Sequence, residues 1–423
     1  MEDHVLRQSL NDELHGRPGL PVVAPARITH MAFTKAEHDA DPLINVKLLC
    51  DAMGLQPPVP GTSHHAIEFD GGLFKFERHG EFYRISVTAN GKALRGEAIS
   101  TLPLGWVDTL PGQRLVAIHT HILAHAEKTP NTAFLTKYFG HDNLAGSLVS
   151  AGKATIWTDF RIGNDGYTRI LIKEHGLSPL RLGRVTRRIH EIETYRMMAL
   201  RALPLARSLQ QELGPLEKSL TDVVRSMAGA NGINDDAALL SQLSAIARDV
   251  EEMSNRGSYR FAAARAYSAL VTKRVAELGE DRVANYQRIG IFLDRRFSPA
   301  MATCVATADR LNSLAERCAR ANDLMRTRVD IAVEGQNQQL LRSMESRAGQ
   351  QLRLQETVEG LSVVAISYYL IAIIQKFIDG LAQYWPNLDT KLVSFISIPV
   401  VLVLVWLGIR RVRHRIIKRE DKP

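Results

Sequence analysis

Apolar residues recur every three or four positions after Pro299, and no further proline interrupts the pattern before Pro386. Leu311, Leu314, Cys318, Ala321 and Met325 form the first part of this stripe, and Leu340, Met344 and Ala348 continue it. Such spacing places side chains on one helix face. Beyond Gly360 the sequence turns apolar all round, from Leu361 to Ile374. The pattern predicts one long helix that begins in water and ends in lipid. At 1.5 Å per residue it would be on the order of 120 Å long. No globular domain covers such a length, so the helix calls for partner helices.

Upstream the period changes. From Ile28 to His175 the sequence reads mostly as β-structure. Phe74–Arg78 and Phe82–Val87 alternate apolar and polar positions around His79-Gly80, the signature of a hairpin. Further strands are expected at 114–123, 146–149, 154–160 and 167–173, with Asn164-Asp-Gly166 as a turn between the last two. Helical pieces fit around Ala36–Met53 and Thr132–Phe139. After Ser178-Pro179 the composition shifts to Leu, Ala, Arg, Glu and Met. Leu203-Pro204 and Gly214-Pro215 should break or kink this region. Gly229–Gly232 reads as a linker, Asp235-Asp236 as a cap, and 237–278 and 281–297 as helices.

The expected class is α+β. A mixed α/β sheet domain spans 1–177, a helical hairpin region 178–298 and a stalk helix 299–359. Two transmembrane helices occupy 360–412, and a basic tail 413–423.

Leu392 to Ile409 is eighteen residues without a charge, bracketed by Lys391 and Arg410. That length suits a membrane span, and a span tolerates Pro399. The first span runs from about Gly360 to Leu381, although Gln375, Lys376 and Asp379 interrupt it. The other reading of that segment is a buried amphipathic helix end. Tyr384-Trp385 would sit at the interface. Much of the formal net charge of +8 lies in Arg410–Arg419, which carries six Lys/Arg and no acid. Directly after an apolar span, such a run indicates anionic lipid as partner and not nucleic acid. The loop between the spans carries one positive residue, Lys391. The tail and the large N-terminal region are therefore expected in the cytoplasm. Met1-Glu-Asp-His lacks the apolar core of a cleavable signal, and three scattered cysteines suit a reducing compartment.

Candidate chemistry is sparse. His119 and His121 share a strand face, and His125 could return from the next turn to complete a divalent-cation site for zinc or nickel. Two histidines on a sheet face are also ordinary half-buried polar residues. No phosphate-loop, dinucleotide or nucleophile-elbow motif is present, so no enzyme is indicated. Cys304 and Cys318, two heptads apart, read as a packing seam. Ser362, Ser367, Tyr368, Tyr369 and Gln375 are polar within the first span, and either line a pore or hold helices together. The charged face around Arg187, Arg188, Glu191 and Glu193 is either solvated or a partner surface. Near the start, Glu13, His15 and Arg17 alternate ahead of Pro18, as an anion-binding or interface motif or as a capped turn.

Glu13–Pro18, Glu193–Leu200 with its Tyr195 and Arg196, and Glu359–Tyr369 together resemble an uncharacterised family of bacterial membrane-anchored proteins. The resemblance implies inner-membrane anchoring and no established activity. The overall plan is also similar to CorA-type magnesium channels. These are homopentamers whose first span lines the pore. Their Gly-Met-Asn element is absent, since Phe377–Trp385 occupies that place. Together the two likenesses imply an inner-membrane homo-oligomer, pentameric on the channel analogy, that conducts a divalent cation or regulates a transporter of one. The alternative is a non-transporting anchored scaffold or sensor with a cytoplasmic ligand-binding domain. A third reading, a tethered metalloenzyme, would use His119, His121 and His125.

Overall fold

A computed structural model describes residues 3–8, 11, 19–35, 39–230, 233–382 and 390–420. The fold is α+β. Among the described residues, nine strands form one mixed sheet. They are β1 (Ala26–Thr34), β2 (His64–Phe69), β3 (Gly72–Arg78), β4 (Phe82–Asn90), β5 (Gln113–Leu123), β6 (Ala145–Val149), β7 (Ala154–Ile162), β8 (Thr168–Glu174) and β9 (Asp281–Arg282). Their order is β2-β3-β4-β1-β5-β8-β7-β6-β9. Neighbours are antiparallel except β5 and β8.

The β3–β4 hairpin, β5, β6, β7 and β8 fall where the sequence predicts strands. The outer strand β2 and the central strand β1 add to that set. Because successive side chains point to opposite faces, β1 puts Met31 and Phe33 into an apolar core with Phe74, Phe76, Ile85 and Val87. Helix α1 (Pro42–Met53) covers this core with Leu43, Val46 and Leu49. It starts at Asp41, whose side chain accepts from the Leu43 N–H, and stops at Gly54 in the left-handed conformation. Helix α2 (Thr132–Phe139) closes a smaller core around Trp157 and Leu171.

The opposite face lies under α3 (Pro179–Leu200). Gly183 lets the segment ahead of β1 come close to this helix: a Cβ there would stand 1.9 Å from the Leu20 carbonyl oxygen. Helix α4 (Ala202–Met227) follows after Arg201. The expected break thus falls just ahead of Pro204, which occupies the first turn, where its missing N–H costs nothing. Pro215 does not end the helix.

Helix α5 (Ile233–Leu278) carries Asp235 and Asp236 in its first turn. The helix expected at 281–297 begins only at Ile289. Asp281–Arg282 instead pairs with Leu148 and Ser147 on β6. Glu280 explains the difference. Its carboxylate accepts from Ser147 Oγ at 2.7 Å and from the Gly290 N–H at 2.9 Å. It thereby ties the sheet edge to a helix N-terminus, where a negative charge is favoured.

Helix α6 (Ile289–Ala382) runs 94 residues through Pro299. Leu311, Leu314, Cys318, Ala321 and Met325 are buried as the stripe predicts, whereas Leu340 and Met344 are exposed. Helix α7 (Thr390–Glu420) contains Pro399. Residues 1–230 and 238–323 form one compact unit; residues 231–237 and 324–423 form a second.

Candidate functional site

Between the sheet and α3 lies a layer of polar and charged side chains where an apolar core would be ordinary. Lys75 and Glu77 from β3, Arg84 and Ser86 from β4, His30 from β1 and Thr120 from β5 all project toward this helix. The pairings Lys75–Ser86, Glu77–Arg84 and His30–Ser86 bring them into cross-strand register. Glu77 sits 2.7 Å from Arg84 Nε and 3.0 Å from Lys75 Nζ. Arg84 Nη2 is 3.6 Å from Glu191 of α3, and Arg274 of α5 donates to the same carboxylate at 2.5 Å. Arg187 also faces Glu191, at 3.6 Å.

Burial alone would raise the Glu77 pKa. The charges of Arg84 and Lys75, and their hydrogen bonds, outweigh it and hold the carboxyl down at about 2. A buried ion pair survives only when so compensated.

Two histidines sit deeper in the same layer. Their rings stack with centroids 4.8 Å apart. His30 reaches Ser86 Oγ at 2.8 Å and Thr194 Oγ1 at 3.1 Å, and His190 reaches Thr120 Oγ1 at 2.7 Å. Burial, then His190 and Arg84, hold His30 well below the usual imidazole range. Burial and Arg84 bring His190 to about 3. Both are neutral at physiological pH. Beside them is a cavity of about 60 Å³, partly open to solvent, with Leu20, His30, Lys75, Arg84, Arg187 and His190 in its lining.

The other face of β5 carries the sequence-predicted histidines. His119 Nδ1 lies 3.0 Å from Thr29 Oγ1 and 3.2 Å from Glu97 Oε2. His121 Nε2 sits 3.2 Å from that same oxygen without an aligned hydrogen bond, and its Nδ1 meets the Tyr138 hydroxyl of α2. Tyr167 stacks on His119 at 3.9 Å. Burial lowers the His119 pKa to about 4 against the pull of Glu97. His125 does not join the pair: its N–H donates to Glu174 at 2.9 Å, and its carbonyl accepts from Lys173 Nζ at 3.0 Å. The His119, His121 and His125 cation site is therefore not assembled. Among the described residues, no group of three His, Cys, Asp or Glu is placed to hold a metal.

Tyr195 is buried in α3 and stacks on Tyr267 at 5.9 Å. Arg196 pairs with Glu193 at 2.6 Å and lies over the Phe160 ring. Both act in packing. Glu13, His15, Arg17 and Pro18 fall outside the described residues, as do Tyr384 and Trp385.

In the second unit, α6 contains an 18-residue window of mean hydropathy 1.8, only 11% buried, long and apolar enough to cross a membrane. Tyr368, Tyr369 and Gln375 on it are exposed. Ser362 Oγ donates back to the Val358 carbonyl at 2.9 Å. Ser367 alone of the five polar candidates is buried, and its hydroxyl has no hydrogen-bond partner among the described residues. The five therefore do not share one environment. The second expected span, Leu392–Ile409, falls within α7. Gly360 and Val363 of α6 border one groove with Trp406 and Ile409 of α7, which sets the two helices side by side there.

Sequence reasoning missed the charged layer. Lys75, Glu77 and Arg84 alternate with aromatic and aliphatic residues as a solvated strand face would. The signal that could have found them is on α3, whose buried face includes Thr186, His190, Glu191 and Thr194.

A family model for proteins of unknown function (DUF3422) matches residues 2–416, nearly the whole chain. The chain belongs to that family. No curated protein matches it. The match bears out the resemblance to an uncharacterised family, and it adds nothing on membrane anchoring or on the likeness to CorA-type channels.

Proposed function

We propose that this member of the DUF3422 family is a membrane-anchored, self-associating protein whose sheet domain binds a small ligand, as a sensor or scaffold. One observation carries the reading: the changing surroundings of α6 along its length. From Val333 to Val358 every side chain is exposed, and the apolar window follows on the same helix. An isolated helix of that kind buries too little to be stable in water. Its exposed apolar residues Val333, Leu340, Met344, Leu354, Val358 and Leu361 fall on one seam of heptad positions, with Asn337, Arg347 and Gln351 at the places between them. That is the spacing of a coiled coil with a like helix. Copies inserted in one membrane in the same orientation would present this seam in parallel. The basic run after Ile409 supports insertion of both α6 and α7 with the tail on the cytoplasmic side of a bacterial inner membrane.

The channel reading draws on the exposure of Tyr368, Tyr369 and Gln375. These polar groups call for helix neighbours or a water-filled path once in lipid.

The test is fractionation of the full chain followed by mass measurement in detergent. The expected result is resistance to alkaline carbonate, release by detergent, and a particle mass several times the 47.1 kDa of one chain. Release by carbonate, or a single chain per particle, overturns the reading. Proteoliposomes then decide between tether and channel: a dye-detected divalent-cation flux requires a pore, and its absence leaves the anchored sensor.

A further inference from the structure

The exposed seam of α6 does not stop where the apolar window begins. Continuing from Val358 and Leu361 by the same steps of four and three residues gives Ala365, Tyr368, Ala372 and Gln375. The register is unbroken, yet the chemistry changes. Leu340, Met344, Leu354, Val358 and Leu361 are large and apolar. The four residues beyond them alternate a small side chain with one that can hydrogen-bond. In water, large apolar side chains at such positions hold helices together. In lipid that driving force is absent. Helices there associate through small residues, which let backbones approach, and through polar groups that bond across the contact. The composition of the seam thus switches where its solvent would switch.

Helix α7 borders a different face of α6, along Glu356, Glu359, Gly360 and Val363. At about 100° per residue, Gly360 and Val363 lie on the far side of the helix from Leu361 and Ala365. Ser367, which is buried, falls on the same side as Gly360 and Val363. On the seam, Leu361 is 73% and Tyr368 70% exposed; Ala365 and Gln375 are exposed and Ala372 half-buried. Neither the Tyr368 hydroxyl nor the Gln375 amide has a hydrogen-bond partner among the described residues. In lipid each such group is costly until it finds one. The flanking positions indicate the kind of partner. Leu341, Ser343, Ala348, Gln350, Gln355 and Thr357 border the seam between Leu340 and Leu361, and none is charged. Arg342, Glu345, Arg353, Glu356 and Glu359 lie on the outer face, which leaves Arg347 as the one charge on the seam in this stretch. Charges at the flanks are what direct a coiled coil to a different partner. Here they are missing, so a like helix meets no repulsion there.

We infer that the Ala365, Tyr368, Ala372 and Gln375 face of α6 is a contact between copies of this chain inside the membrane. Ala365 and Ala372 let parallel helices close up, and Tyr368 and Gln375 hydrogen-bond across. The inference rests on the insertion and self-association proposed above, and deepens that reading by naming the surface within the bilayer. It assigns Tyr368 and Gln375 to helix contacts and not to a water-filled path. The coiled coil and the membrane contact are then one continuous interface with a single partner, a second copy.

The experiment is a scan of single cysteine substitutions from Val364 to Gln375 in the full chain, oxidised with copper phenanthroline in the membranes of the expressing cell. The wild-type chain, whose Cys50, Cys304 and Cys318 are buried, sets the background. Disulfide-linked dimers are expected to peak for Ala365→Cys, Tyr368→Cys, Ala372→Cys and Gln375→Cys, and to fall to background for Ile366→Cys and Ile373→Cys. A maximum on another face, or cross-linking without a period, overturns the inference and leaves self-association standing. So does a blank scan in a chain whose detergent particle still holds several copies, because the copies then meet outside the membrane. A single chain per particle sinks the self-association reading and this contact with it. In detergent, Gln375→Leu and Tyr368→Phe should each raise the dissociation constant of the assembly about threefold, the average worth of one such hydrogen bond, and Ile373→Leu should leave it unchanged. Equal dissociation constants for all three variants and the wild type deny the hydrogen bonds and overturn the assignment of Tyr368 and Gln375.

Discussion

The two faces of strands β3 and β4 are made from alternate residues of the same segments, yet they are stabilised in opposite ways. One face buries Phe74, Phe76, Tyr83, Ile85 and Val87 under α1 and neighbouring turns. The other buries Lys75, Glu77 and Arg84 under α3, with Ser86 half-buried beside them. The first is held by area removed from water, which tolerates imperfect partners. The second is held by mutual compensation, in which each group depends on another being present. Burial therefore says little about how a layer responds to change, and chemistry says much.

The largest expected effect separates the two modes. Arg84→Met leaves Glu77 and Glu191 without their shared cation and should cost about 3–5 kcal/mol. Phe76→Ala on the apolar face should cost a similar 3–5 kcal/mol through its cavity. The faces part company in the rescue. Adding Glu77→Leu to Arg84→Met should recover much of the loss, since apolar replacement of a buried pair is often neutral, whereas no second truncation rescues Phe76→Ala. Denaturant melts of the four variants decide. A double mutant no more stable than Arg84→Met would show that Glu77 does not depend on Arg84.

Acid sharpens the comparison next. His190 and His30 are held neutral in the fold but would be free to protonate in the unfolded chain. A folded pKa of about 3 for His190 against an unfolded value of about 6.5 means the unfolded state binds the extra proton between those limits. The contribution of His190 is then full above about pH 6.5 and falls as pH drops toward 3, by about 1.4 kcal/mol per pH unit. His190→Gln should flatten the pH dependence of unfolding in that window by close to one proton. An unchanged slope would refute the assignment.

The smallest effect belongs to β5. His119 has a folded pKa of about 4, so its window is narrower and ends sooner. Glu97, 3.2 Å away, is there to meet the imidazolium when it forms. His119→Gln should flatten the slope by close to one proton as well, but only between about pH 4 and pH 6.5, so its summed effect on stability is smaller than that of His190→Gln. A larger change than at His190 would reverse the ranking of the two faces.

Much of the fold could be read from the chain because local pattern and final environment agree. Alternation located β3 and β4, and runs of strand-forming residues located β5, β6, β7 and β8. Asn131, whose side chain accepts from the Phe134 N–H, and Gly140 bound α2 at its predicted ends. The same reasoning failed wherever a distant element changed the meaning of a residue. Lys75 and Arg84 look solvated until α3, more than ninety residues on, lies across them. Glu97 and Tyr138 come from separate elements with no shared spacing, so their meeting with His121 leaves no trace in sequence. At 281–297 a helical composition yielded to Glu280, whose two hydrogen bonds favour a strand and a turn before Ile289. The apolar window of α6 was visible because a bilayer-length run needs no tertiary context. The exposure of Leu340 and Met344 was not, because periodicity identifies a face without saying what covers it.

Gly183 carries a consequence beyond close packing. The segment at Leu20 rests on α3 at that residue, and Val22 donates to the Pro179 carbonyl at 3.0 Å. Leu20 and Val22 are also wall residues of the cavity beside His30 and His190. The width of the doorway is thus governed by an atom that is not there. A single methyl at position 183 would act as a wedge, prising the rim from its hinge post without touching any charged group inside.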